Sequence, residues 1–252
     1  MYPNTLKQRI RNGELLLGTV LTAPSAMNAA MICRSGIDFL WIDTEHGPFN
    51  VEMLDTIPVI ARQNGVAPMI RVPWNDPALI KKAYDSGAVA VMVPQVNTPE
   101  EARLAVQYAY YPPLGQRGVS PWWPITAGED WIHVIKTANE EIVVVLQLES
   151  VEAYNNLDLI KTIPGIDVLF VGPMDLSASV GKITDMKSPE VQAMMREVPR
   201  RLEGTGIMTG TTLSDPSELK EKRDWGYCFL NVGNPLSYGI QALQGHLAML
   251  RQ

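Results

Sequence analysis

Gln147 and Glu149 stand two residues apart at the end of an apolar run. If that run is extended, the two share one face, and Leu146 and Leu148 share the other. A second carboxylate, Asp175, follows another apolar run in Gly172-Pro173-Met174-Asp175. Carboxylates on adjacent strand ends repel one another in a partly dry site, so they need a cation, a shared proton or an arginine. A divalent metal with oxygen ligands is the simplest answer, and it leaves positions open for a chelating substrate. Taken singly, Asp175 also suits a helix cap, and Glu149 a cap or an ion pair. His46, in Asp43-Thr44-Glu45-His46-Gly47, is one of three histidines. Its type suits a general base, against the alternative of a hydrogen-bonded structural histidine. Arg71 ends a third apolar run, and a buried arginine needs an anion: Asp43, Glu45 or a developing oxyanion. His133 and His246 fall in helical stretches and read as surface residues. Together these types suggest metal-assisted chemistry on a small anion.

Side chains so far apart in sequence meet only if the fold collects strand ends. Short β-rich runs alternate with amphipathic ones along the whole chain. Strands are predicted at 16–22, 38–43, 67–72, 88–93, 143–148, 168–171, 207–212 and 227–232. Helices are predicted at 25–35, 51–64, from Asp76 to Gly87, from Thr98, and at 151–162, 189–202, 215–225 and 236–251. Ser25 and Thr98 are N-cap types, Pro77 and Pro99 suit a first helical position, and Gly36, Gly65 and Gly87 mark helix ends. Several strands are apolar on both faces, which suits parallel strands covered on both sides. Eight βα units in 252 residues fit an α/β fold of the (β/α)8 TIM-barrel class, spanning 1–252. In such a barrel the C-terminal strand ends face the active site. Strand eight adds Asn231 and Asn234 there. One connection, around 113–139, is too long for an ordinary loop and holds Trp122, Trp123 and Trp131. A short helix is expected at 130–138. Aromatic-rich loops of this length serve as lids or interface arms, or as packed surface insertions.

The formal net charge of −6 argues against a nucleic-acid partner. Cys33 and Cys228 are isolated and read as core thiols in a reducing, cytoplasmic setting. No stretch is long and apolar enough for a signal core or a membrane span. Lys81 and Lys82 lie on a helix and read as solvated, so nothing points to a lysine Schiff base.

The strand-end segments also carry a family likeness. Phe39-Leu40-Trp41-Ile42-Asp43-Thr44-Glu45-His46-Gly47, Ile70-Arg71-Val72-Pro73, Tyr84-Asp85-Ser86-Gly87-Ala88 and Val93-Pro94-Gln95-Val96 occur in order. Tyr111-Pro112-Pro113-Leu114-Gly115-Gln116-Arg117-Gly118, Gln147-Leu148-Glu149 and Gly172-Pro173-Met174-Asp175-Leu176-Ser177 follow. The chain resembles the HpcH/HpaI aldolases, class II pyruvate aldolases typified by 4-hydroxy-2-oxoheptanedioate aldolase. The resemblance implies a lyase that makes or breaks 4-hydroxy-2-oxo acids through a pyruvate enolate. It implies Glu149 and Asp175 as ligands of Mg²⁺, Mn²⁺ or Co²⁺, and Gln147, Gly172, Met174 and Asp175 as keto-acid contacts. It further implies His46 as the base, Asp85 as the acid that raises its basicity, and Arg71 as partner of the enolate oxygen. Partners would be pyruvate or oxaloacetate and an aldehyde, within a homo-oligomer, a hexamer built from dimers that exchange C-terminal helices. Val119-Ser120-Pro121-Trp122-Trp123 looks more like the macrophomate synthase branch, which starts from oxaloacetate. Asn231-Val232-Gly233-Asn234-Pro235 stands where many of these aldolases carry Gly-x-Asp. The alternatives are therefore an oxaloacetate decarboxylase or synthase using the same enolate, a CoA-thioester lyase, and a barrel that binds keto acids without turnover.

Overall fold

A computed structural model describes residues 2–49 and 54–251. Eight parallel strands close into a barrel in chain order: β1 (Leu16–Leu21), β2 (Phe39–Asp43), β3 (Ala67–Arg71), β4 (Ala90–Val93), β5 (Val143–Leu148), β6 (Val168–Val171), β7 (Met208–Leu213) and β8 (Phe229–Val232). All eight expected strands are present, each boundary within two residues. The helices are α1 (Leu6–Arg11), α2 (Ala26–Cys33), α3 (Ile57–Gln63), α4 (Pro77–Asp85), α5 (Pro99–Ala109), α6 (Trp123–Ala127), α7 (Trp131–Glu141), α8 (Val151–Ile160), α9 (Pro173–Ser179), α10 (Pro189–Leu202), α11 (Pro216–Asp224) and α12 (Pro235–Leu250). Residues 51–53 of the helix expected at 51–64 lie outside the described residues. Among those described, no helix is long and apolar enough to cross a membrane.

Alternation along each strand sorts side chains into two cores. Phe39, Trp41, Met69, Met92, Val145, Phe170 and Phe229 fill the barrel interior, where Phe39 stacks on Phe229 with ring centroids 4.1 Å apart. Leu40, Ile42, Ile70, Val91, Leu146 and Leu148 face the helices. Leu6 and Ile10 of α1 stopper the N-terminal end of the interior. Lys7 is buried there, donating to Tyr110 Oη, Ile142 O and Asp167.

The long connection behaves otherwise than a lid. It joins the end of α5 to the start of β5, so it lies at the N-terminal end of the barrel, away from the mouth. Trp123 is buried, with the Arg62 guanidinium 4.0 Å from its ring centre. Arg62 in turn holds both oxygens of Glu141 at 2.8 Å. Of the alternatives for this stretch, the burial of Trp123 against Arg62 favours a packed insertion over a lid, since helix polarity carries an αβ connection to the end of the barrel opposite the mouth. The helix expected at 130–138 is α7, capped by Asp130.

Candidate active site

The inward alternation that buries Trp41 and Met69 brings Asp43 and Arg71 to the mouth one step later. Arg71 is held on two sides. Its Nε and Nη2 donate to Asp43 at 2.9 and 2.6 Å, and Nη1 lies 3.0 Å from Glu45 Oε2. Beneath it the Trp41 ring sits 4.8 Å from the guanidinium carbon. Nη1 also reaches Gln147 Oε1 at 3.5 Å, and Gln147 Nε2 donates to Glu149 Oε2 at 2.5 Å. One hydrogen-bonded chain therefore runs from Asp43 through Arg71 and Gln147 to Glu149.

Glu149 is 3 % exposed. Its second oxygen accepts from the backbone N–H of Gln95 at 2.8 Å. Gln95 holds φ at +55°, a left-handed conformation uncommon outside glycine, which aims that N–H. Opposite, Gly172 supplies bare backbone: a Cβ there would come within 2.8 Å of Glu149 Oε2. Burial pushes the Glu149 carboxyl up to about 7, with the charges of Asp175 and Glu45 adding to the effect. Burial also raises Glu45, against the opposing charge of Arg71. Asp175 lies in the first turn of α9, half-buried, and no described side chain bonds it. Asp43, Glu45, Glu149 and Asp175 thus face one guanidinium. That surplus of carboxylate fits a divalent cation held by Glu149 and Asp175. Among the described residues no three ligating side chains close on one point. Two protein ligands leave room for a chelating substrate and water.

The expected site residues divide by position. Arg71, Gln147, Glu149, Gly172 and Asp175 gather at the mouth, with the exposed Met174 beside them. His46 stands at the rim, its Nε2 3.8 Å from Glu45 Oε2 and its side chain 67 % exposed. Asp85 does not join them. It ends α4, which runs from the mouth back to the N-terminal end, a strand length away, on the order of 15 Å. There it is buried, Oδ1 has no hydrogen-bond partner among the described residues, and burial raises its pKa against the nearby Arg117. Arg117 is buried too, over the rings of Tyr111 at 3.9 Å and Tyr84 at 4.7 Å. Reading residue types overlooked the Gln95 amide, because a backbone donor leaves no trace in side-chain chemistry. The signal was Val93-Pro94-Gln95, a proline immediately before the aimed residue.

The profile of the HpcH/HpaI aldolase/citrate lyase family matches residues 19–242. This chain belongs to that family. A 2-keto-3-deoxy-L-rhamnonate aldolase from Klebsiella pneumoniae is 36% identical over 258 aligned positions, covering 100% of this chain and 94% of the relative. The crystal structure of an HpcH/HpaI aldolase/citrate lyase family protein from Burkholderia cenocepacia superposes with a TM-score of 0.92 at 32% identity, covering 99% and 100% of the two chains. Macrophomate synthase superposes with a TM-score of 0.86 at 26% identity, covering 98% and 89%. The fold and the family expected from the strand-end motifs are both borne out.

Proposed function

We propose that the chain is a class II aldolase, cleaving or forming 4-hydroxy-2-oxo acids through the enolate of pyruvate. The observation that carries this reading is the Arg71–Gln147–Glu149 chain ending in excess carboxylate. When bound at Glu149 and Asp175, a divalent cation supplies Lewis acidity toward the ketone oxygen of a keto acid. Arg71 is pinned by Asp43 through Nε and Nη2, so its Nη1 has a fixed direction. That atom meets negative charge as it grows on the ketone oxygen, at no cost of reorganisation. Gln147 is tied at both ends and orients the bound keto acid. Gly172 and the backbone at Met174 and Asp175, in the first turn of α9, receive its carboxylate.

His46 moves the proton. Its exposure gives access to the aldol hydroxyl, directly or through one water. The acid that raises its basicity cannot be Asp85 of the same barrel, given the separation between them. His46 therefore pairs with Asp85 of a second copy, which would also give the orphaned Asp85 Oδ1 a partner. A homo-oligomer is supported independently by α12. None of its residues is buried, and Leu236, Ile240, Leu243 and Leu247 form an exposed apolar stripe at helical spacing.

The deciding experiment is retro-aldol and condensation activity with pyruvate after chelation, followed by return of Mg²⁺, Mn²⁺ or Co²⁺. Activity should vanish and be restored. Full activity in the chelated protein would refute the assignment.

A further inference from the structure

The mouth occupies one end of the barrel, and the opposite end carries a cavity that the proposed chemistry does not use. Its volume is about 480 Å³, within the range of small-molecule sites. Ile10 closes one side from the end of α1, Leu202 comes from the end of α10, and Trp225 follows α11. Met208 opens β7 and Cys228 precedes β8; both pack on the interior core, so they form the inner end. The six residues of β7, about 20 Å of strand, separate this cavity from the mouth.

Wall and rim differ in chemistry. Ile10, Leu202 and Met208 are buried apolar side chains. Trp225 is held in place by Lys222, whose Nζ lies 3.6 Å from its ring centre. The Cys228 thiol is half-buried, and burial raises its pKa, so it stays neutral. At the rim stand Arg11, Arg200 and Glu203, all exposed. None of these three makes a side-chain hydrogen bond or ion pair among the described residues. Two guanidinium groups against one carboxylate leave the rim positive, on a chain whose formal charge is −6.

Unpaired guanidinium groups above an apolar wall suit a carboxylate with an apolar body. The planar forks take the two oxygens, and the wall takes the hydrocarbon. A neutral molecule of the same shape forgoes the first contact, and an ammonium meets a rim of its own sign. We propose that this cavity is a second binding site, for a small carboxylate with a compact apolar body. The proposal does not depend on the aldolase reading above.

Cys228 reports on the cavity directly. The test measures alkylation of Cys228 by N-ethylmaleimide in the full chain, read by peptide mass spectrometry. Pyruvate and Mg²⁺ are present throughout, to occupy the mouth. The probe is cyclohexylacetate. 2-Cyclohexylethanol, 2-cyclohexylethylamine and cyclohexylalanine present the same ring with no charge, a positive charge and both charges. A carboxylate of this size should bind with a Kd on the order of 1 mM. At about ten times that concentration it should slow alkylation about 10-fold. Arg11→Gln and Arg200→Gln, at exposed positions, should each weaken binding by roughly 3- to 10-fold, and Arg200→Lys should keep most of it. Calorimetric titration of cyclohexylacetate into the native chain and into the double variant Arg11→Gln/Arg200→Gln gives the same comparison without the thiol. Absence of binding in the native chain overturns the proposal. So does equal protection by the alcohol, stronger protection by the amine or the amino acid, or undiminished binding in the double variant.

Discussion

Gly172→Ala perturbs the site through a single methyl group. The backbone at Gly172 has φ −90° and ψ 95°, which any L-residue adopts, so the substitution carries no backbone strain. On that ground alone it would stabilise the chain by about 0.4–1 kcal/mol. The new Cβ, however, would lie 2.8 Å from Glu149 Oε2, 3.1 Å from Glu149 Cβ and 3.5 Å from Gln147 Nε2. An ordinary carbon–oxygen contact is about 3.3 Å, so the carboxylate must retreat by roughly 0.5 Å. Metal–ligand distances tolerate about 0.2 Å. The retreat also disturbs the bonds from Gln95 N–H and Gln147 Nε2 that orient Glu149. Divalent-metal affinity should fall about 10- to 100-fold, the usual cost of losing such support. Overpacking should lower stability by about 1–3 kcal/mol, or several degrees in Tm for a chain of this size. Calorimetric titration with Mn²⁺ measures the first effect and thermal unfolding in chelator the second. Unchanged Mn²⁺ affinity together with a raised Tm would refute the placement of Glu149 against Gly172.

Other outcomes follow from the same geometry. In chelator, the stability advantage of Glu149→Gln over the native chain should grow as pH rises from about 4.5 to about 7. Over that window the unfolded carboxyl is ionised while the buried one is not, a difference on the order of 3 kcal/mol read from urea midpoints; a pH-independent gap would contradict it. Arg71→Lys cannot keep both bonds to Asp43, and methyl-proton exchange of pyruvate followed by NMR should slow about 10²- to 10³-fold. His46→Ala should lose aldol cleavage but retain oxaloacetate decarboxylation, since loss of CO₂ makes the enolate without a base; equal loss of both would reject that role. Mixing His46→Ala with Asp85→Asn subunits should restore activity to about a quarter of the sites by random assortment, whereas no recovery would rule out pairing between copies. Trp123→Ala should cost about 3–5 kcal/mol in unfolding without shifting aldehyde preference, because the ring packs on Arg62 at the far end of the barrel.

The strands were legible because parallel strands buried on both faces leave uninterrupted apolar runs, as in Val143–Leu148. The mouth was legible from the period of two that separates Gln147 from Glu149, and Arg71 from the anions it required. Distance between ends of the barrel was harder to read. Asp85 and Trp123 lie near the mouth residues in any roll of polar and aromatic side chains, yet each belongs to the return path of a βα unit. Helix polarity, rather than residue type, decides which end they reach. The short α1 and α9 were not read from periodicity, since six or seven residues complete too few turns. The Thr212–Asn231 pair needed register: only the pairing of β7 with β8 shows that they touch.

Ring closure has a consequence for the newborn chain. β1 pairs with β8 as well as with β2, so its second edge waits for almost the last strand to be made. At 5–20 residues per second, that edge stays open for on the order of 10–40 s of synthesis. Throughout that interval the row of donors and acceptors along Leu16–Gly18 can template a neighbour's strand. A nonsense mutation anywhere before Phe229 would make the exposure permanent. Such fragments should be cleared as aggregates even though most of the βα units are present.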